Sequence, residues 1–174
     1  MAMKLIRTQA GDGIFVNLIK DDRFKHDRIA VNFILPLARE TATGYALLPF
    51  LMQRGYAGCS DFTAFARKLD ELYGATVAGK VSKAGNYQII TLTITHVDDR
   101  YTLNSEPLAE ECARLLAEIA TMPAIENGRF DPEAVATEKN SLADTIAAEV
   151  NDKRSYAVTR CTELLFEGEP LAVK

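Results

Sequence analysis

Within the run from Asn86 to His96 the chain alternates: Ile90, Leu92 and Ile94 fall on one parity, Thr91, Thr93 and Thr95 on the other. A period of two built from β-branched residues is a strand pattern, because successive side chains of a strand point to opposite faces. A strand cannot satisfy its own backbone groups, so this segment demands a sheet. Thr76 to Val81 supplies a neighbour. Ser82-Lys83-Ala84-Gly85-Asn86 lies between the two as a turn, which predicts an antiparallel hairpin. Upstream, Ile29, Val31, Phe33 and Leu35 alternate with Ala30, Asn32 and Ile34 until Pro36 ends the strand. Gly13 to Ile19 is a further β-rich run, bounded by Gly11-Asp12-Gly13 and by Asp21-Asp22.

Elsewhere the apolar period switches to that of a helix. The first helix is expected over Thr41 to Arg54, with Thr41 or Thr43 as cap and Ala46, Leu47, Phe50 and Leu51 as its apolar stripe. Pro49 within it removes a backbone donor and predicts a kink or a shortening, and Gly55 closes it. A second helix is expected from the cap Asp61 to Tyr73, stopped by Gly74, with Phe62, Phe65, Ala66, Leu69 and Leu72 inward. Ser105-Glu106-Pro107 opens a third, to Ala120, with Leu108, Cys112, Leu115, Leu116 and Ile119 as its core face. Met122-Pro123 breaks it. Phe130-Asp131-Pro132-Glu133 starts a fourth, running to Val150, because Asp caps and Pro suits the first helical position. Asn151-Asp152 bends the chain, and the helical pattern resumes through Tyr156, Cys161, Leu164 and Leu165 to Gly168. The order of elements is α+β: a mixed, largely antiparallel sheet covered by helices. The 174 residues read as one domain, and the loop-like Glu169-Pro170-Leu171 reads as leading to a further element, so the chain is expected to be a fragment.

Composition and spacing exclude more than they assign. Twenty basic residues stand against 24 acidic ones, without a Lys/Arg-rich run, which argues against nucleic acid and anionic membrane surfaces as partners. No apolar stretch reaches the roughly 20 residues of a membrane helix. Cys59, Cys112 and Cys161 are odd in number and far apart; they fit packing roles as half-buried thiols in a reducing cytoplasm. The two histidines, His26 and His96, lie far apart and show no metal-ligand spacing. His26 reads as a surface residue in a polar loop. No Gly-x-Ser-x-Gly is present, Cys59-Ser60 lies in a turn, and Gly11-Asp12-Gly13 precedes a strand and not an anion-holding helix.

The ordered segments nevertheless resemble the N-terminal half of the insulinase/pitrilysin-type zinc peptidases, a family that includes the mitochondrial processing peptidase subunits. The resemblance runs through Asp27 to Pro36, through Thr43 to Gly55 as the counterpart of the metal helix, through Leu69-Asp70-Glu71-Leu72-Tyr73-Gly74-Ala75-Thr76, and through Phe130 to Asp152. The Leu-Tyr-Gly-Ala run, Glu138-Lys139, and Asn151-Asp152-Lys153 followed by Tyr156-Ala157 are most similar to a bacterial, non-catalytic branch. Active members carry His-x-x-Glu-His, whose two imidazoles share one helix face and bind zinc while the Glu activates water. Placing the family's Lys-Gly on Arg54-Gly55 puts that motif on Ala46, Leu47, Leu48, Pro49 and Phe50. The histidine positions become Ala46 and Phe50, the general-base position becomes Pro49, and the third ligand falls near Thr145, beside Asp144.

By this resemblance the chain has no catalytic residues and no metal or cofactor of its own. It is a single domain over residues 1–174, the first of a longer polypeptide. Zinc is expected only in an active homologous partner. The implied role is a pseudo-peptidase subunit or chamber wall. Its partners would be a zinc-bearing homologue or a second copy of itself, together with an extended peptide held by strand addition. Tyr45, Pro49 and Phe50 are the candidate peptide-groove residues. Two alternatives stand beside it: part of an active zinc endopeptidase with its metal site elsewhere, or a stand-alone interaction domain.

Overall fold

The computed structural model describes residues 4–172. It is α+β, with two antiparallel sheets. The larger has three strands, β3 (His26–Pro36), β4 (Thr76–Ala84) and β5 (Tyr87–Val97), with β5 in the centre. The register pairs Ile29 with Ile94 and Val31 with Leu92 on one side, and Val77 with Ile94 and Val81 with Ile90 on the other. Both cross-strand rows therefore place apolar residues on one face. The expected hairpin is present, with a tighter turn. The strands run on through Ser82, Lys83 and Ala84, leaving Gly85 and Asn86 to reverse the chain. Gly85 takes a φ of 55°, a conformation that costs a Cβ-bearing residue energy.

The smaller sheet pairs β1 (Lys4–Gly11) with β2 (Ile14–Lys20). β2 matches the β-rich run of the sequence. β1 has no counterpart among the expected elements, because its apolar residues, Leu5 and Ile6, do not alternate.

Helices α1 (Arg39–Met52) and α3 (Leu108–Thr121) lie on the inner face of the larger sheet, and α4 (Pro132–Ala148) packs on α1. α3 buries all five residues that its stripe predicts: Leu108, Cys112, Leu115, Leu116 and Ile119. They meet Leu92 and Ile94 of β5, and Phe65 of α2 (Phe62–Glu71), in one cluster. Each fully buried Leu, Ile or Phe contributes about 1.5–3 kcal/mol, so this cluster sets the stability of the domain.

Helix starts differ from expectation where the cap comes from elsewhere. α1 begins at Arg39, before both threonines; Thr41 donates its hydroxyl to the Ala38 carbonyl from inside the first turn. It ends at Met52, and Pro49 sits in its last turn, where its carbonyl still accepts from the Gln53 N–H at 3.1 Å. α3 starts at Leu108 and not at Ser105. Its cap is remote: Asp99 Oδ1 accepts from the Ala109 N–H at 2.9 Å. Asp61 and Asp131 cap α2 and α4 as their sequences imply. α4 ends at Ala148, a short 3-10 turn covers Glu149–Asn151, and α5 runs Lys153–Leu165 from the cap Asp152. Of the cysteines only Cys59 is half-buried; Cys112 is buried and Cys161 exposed. Burial in the apolar α3 interface pushes the Cys112 thiol up to about 11, which holds it protonated.

Candidate functional site

α1 carries the positions where the resemblance places the peptidase motif. Ala46 and Phe50 are half-buried and Pro49 is buried. Pro49 is pressed against β4: a Cβ on Gly79 would sit 2.5 Å from the Pro49 carbonyl oxygen. Only glycine permits this approach of helix to strand. Thr145 is exposed on α4 and donates its hydroxyl to the Ser141 carbonyl one turn back. A methyl group, a proline ring, a benzyl group and a hydroxyl engaged with its own helix form no zinc donor set. Among the described residues no three His, Cys, Asp or Glu side chains gather as metal ligands.

The concavity of this region lies just past the C-terminal end of α1. It is an open groove of about 500 Å³. Gln53 and Arg54 form one wall, Phe62, Phe65, Ala66, Leu69 and Asp70 of α2 another, and the start of β4 with Glu138 of α4 completes it. The candidate groove residues Tyr45, Pro49 and Phe50 are not among its lining; Tyr45 and Phe50 are half-buried nearby on α1.

Two polar links shape the groove. Arg54 Nη1 donates to Glu138 Oε1 at 2.8 Å, tying the end of α1 to α4. The same guanidinium lies 5.6 Å from the ring centre of Phe62, an exposed phenylalanine at the first turn of α2. This cation–π contact holds the ring at the mouth. The second link is Gln53, whose Oε1 accepts the Gly79 N–H at 2.8 Å. β5 occupies the other side of β4, so an N–H that meets Gln53 points to the free edge. In an antiparallel ladder such outward groups recur at every second residue. Val77 and Val81 thus share the free edge with Gly79. None of Gln53, Phe62 or Gly79 stands out as functional in the sequence. The signal available was a glycine inside a strand pattern, which marks a close approach of backbone or ligand.

The two histidines have opposite fates. His26 is exposed at the start of β3. His96 is buried on the inner face of β5, with Nδ1 2.8 Å from the Val97 carbonyl oxygen.

No protein-family model matches the chain. Over 161 residues it is 30% identical to a Bacillus subtilis protein named "Probable inactive metalloprotease YmfF", a match that covers 92% of this chain and 38% of that protein. Among solved structures, a conserved protein from Enterococcus faecalis superposes with a TM-score of 0.84 at 28% identity, over 96% of this chain and 40% of that one. A peptidase M16 inactive domain from Pseudomonas fluorescens shares the fold, with a TM-score of 0.64 at 16% identity over 98% of this chain and 38% of its own. The chain thus spans about two fifths of the length of the relatives it matches. No helix among the described residues is long and apolar enough to cross a membrane.

Proposed function

We propose that this chain is a metal-free pseudo-peptidase domain that holds an extended peptide and works beside a zinc-bearing homologue or a second copy of itself. The observation that carries the reading is α1. It stands where the resemblance puts the metal helix, yet it carries Ala46, Pro49 and Phe50, with Pro49 packed onto Gly79. A proline cannot take a proton from water, and alanine and phenylalanine offer zinc no donor atom. Similarity to a protein named a probable inactive metalloprotease supports the same reading. What remains for such a domain is binding, and the groove between α1, α2 and β4 lies against a free sheet edge suited to strand addition. Three unpaired cysteines suit a cytoplasmic setting.

Elemental analysis of the protein purified without added metal tests the reading. The expected zinc content is near zero per chain. One tightly held zinc per chain would overturn it. In parallel, the chain alone should leave an unstructured fluorogenic peptide uncut, and the peptide should bind without turnover.

A further inference from the structure

The Gly79 N–H at the free edge of β4 already has a partner, and that partner is a side chain. We propose that the Gln53 amide occupies the place of a peptide carbonyl, as a built-in plug that an incoming strand must displace. This deepens the peptide-binding reading and rests on it.

A strand adding to β4 would exchange hydrogen bonds with the outward residues Val77, Gly79 and Val81. Gln53 Oε1, 2.8 Å from the Gly79 nitrogen, blocks the middle of that row. A primary amide is the closest side-chain copy of a peptide group, with one carbonyl acceptor and N–H donors. The geometry depends on Pro49 and Gly79 touching, because only a side chain held that close, one turn beyond Pro49, can reach round the strand edge. Displacement is feasible, since Gln53 is half-buried and borders the open groove, into which the side chain can swing.

The same groove selects among the side chains of the strand that displaces the amide. Next to Val77 it offers Phe62, Phe65, Ala66, Leu69 and Ala75, with the Arg54–Glu138 pair at its wall. An aromatic or large aliphatic side chain of the added strand fits this lining, and an acidic one would face Asp70 and Glu138.

Three forms of the protein test the proposal: wild type, Gln53→Ala and Gln53→Glu. The probes are fluorescein-labelled peptides of alternating Thr and Val with one central Phe, Leu, Arg or Glu. Exchange of one net hydrogen bond for another sets the scale: Gln53→Ala should bind the Phe peptide about three- to tenfold more tightly than wild type. Gln53→Glu keeps an acceptor and should stay near wild type. Without peptide, the Gly79 amide should exchange with solvent faster in Gln53→Ala and not in Gln53→Glu. Equal or weaker binding by Gln53→Ala overturns the plug while leaving peptide binding intact. An unchanged Gly79 exchange rate in Gln53→Ala overturns the plug whatever the peptides do. Failure of every form to bind any of the peptides, with Gly79 exchange still faster in Gln53→Ala, overturns the peptide-binding reading and with it the role of the plug.

Discussion

β5 and the β1–β2 hairpin are both apolar-rich β structure, and they end in opposite surroundings. On β5, Ile90, Leu92 and Ile94 lie at 0–1% exposure beneath α1 and α3. On the hairpin, Leu5, Ile6, Ile14, Phe15, Val16, Leu18 and Ile19 are all exposed, with Leu18 at 56%. Both are antiparallel; the hairpin carries one register shift, between Gln9 and Gly11, and β5 pairs with β3 without interruption. What separates them is a second layer. The larger sheet has helices across one face, and among the described residues no helix covers the hairpin. Two-stranded ribbons are marginal in water without such cover. Strand patterning thus reports a local period, and burial is decided by what the rest of the chain brings to that face.

A pair of truncations puts this contrast to its hardest test. Leu92→Ala leaves a cavity at the centre of the core and should cost about 3 kcal/mol. Leu18→Ala, made on an exposed ribbon, should cost under about 0.5 kcal/mol. Urea unfolding of both variants measures the contrast. Similar losses for the two would mean that the hairpin is covered in solution.

The same divide between local period and distant partner governs how much of the molecule is legible in its sequence. α3 is legible residue by residue, because its five core positions keep a helical period from Leu108 to Ile119. β5 is legible because its threonines and aliphatics alternate. The departures fall where a partner distant in sequence decides. α3 starts late because its cap is Asp99, ten residues upstream of Ala109. β1 is a strand because β2 pairs with it, and its own pattern carries no period. Within the candidate site, the resemblance directs attention to α1, but Tyr45, Pro49 and Phe50 lie outside the groove lining, so only the neighbourhood is legible. The groove is not, because it is assembled from α1, α2, β4 and α4, and no local pattern records where four elements meet.

A smaller effect probes the joint between α1 and the sheet. Gly79→Ala drives a methyl group against the Pro49 carbonyl, where backbone and not a flexible side chain stands in the way. Overpacking of this kind costs about 1–3 kcal/mol. Thermal unfolding should show the loss, and the Gln53 contact should be lengthened, seen as faster amide exchange at position 79. The exposed Gly13 turn of the hairpin has open space around it, but its φ of 70° makes it a poor control. Ala78→Ser, on the opposite and exposed face of β4, is the better one, and it should be nearly silent.

The least perturbing test addresses what fastens the hairpin to the sheet. Arg100 pairs with Asp98 at 2.8 Å, and its guanidinium also donates to the Asp22 and Phe24 carbonyls in the link between β2 and β3. The side-chain hydrogen bond from Arg100 is the main cause that lowers the Asp98 carboxyl to about 2. A carboxylate whose folded pKa is depressed stabilises the fold above its ordinary value near 3.8, and that contribution fades as pH falls toward about 2. As pH falls through about 2 the folded Asp98 gains its proton, the guanidinium loses its counter-charge, and the link should loosen while the three-stranded sheet holds. Backbone NMR relaxation of the hairpin amides should therefore report greater motion at pH 2 than at pH 5, with β5 unchanged. Arg100→Ala should bring the same motion at neutral pH and return the Asp98 titration toward the usual carboxylate range. Hairpin and β5 loosening together would show that the two regions are one cooperative unit, and the contrast drawn from their burial would then be one of surface and not of stability.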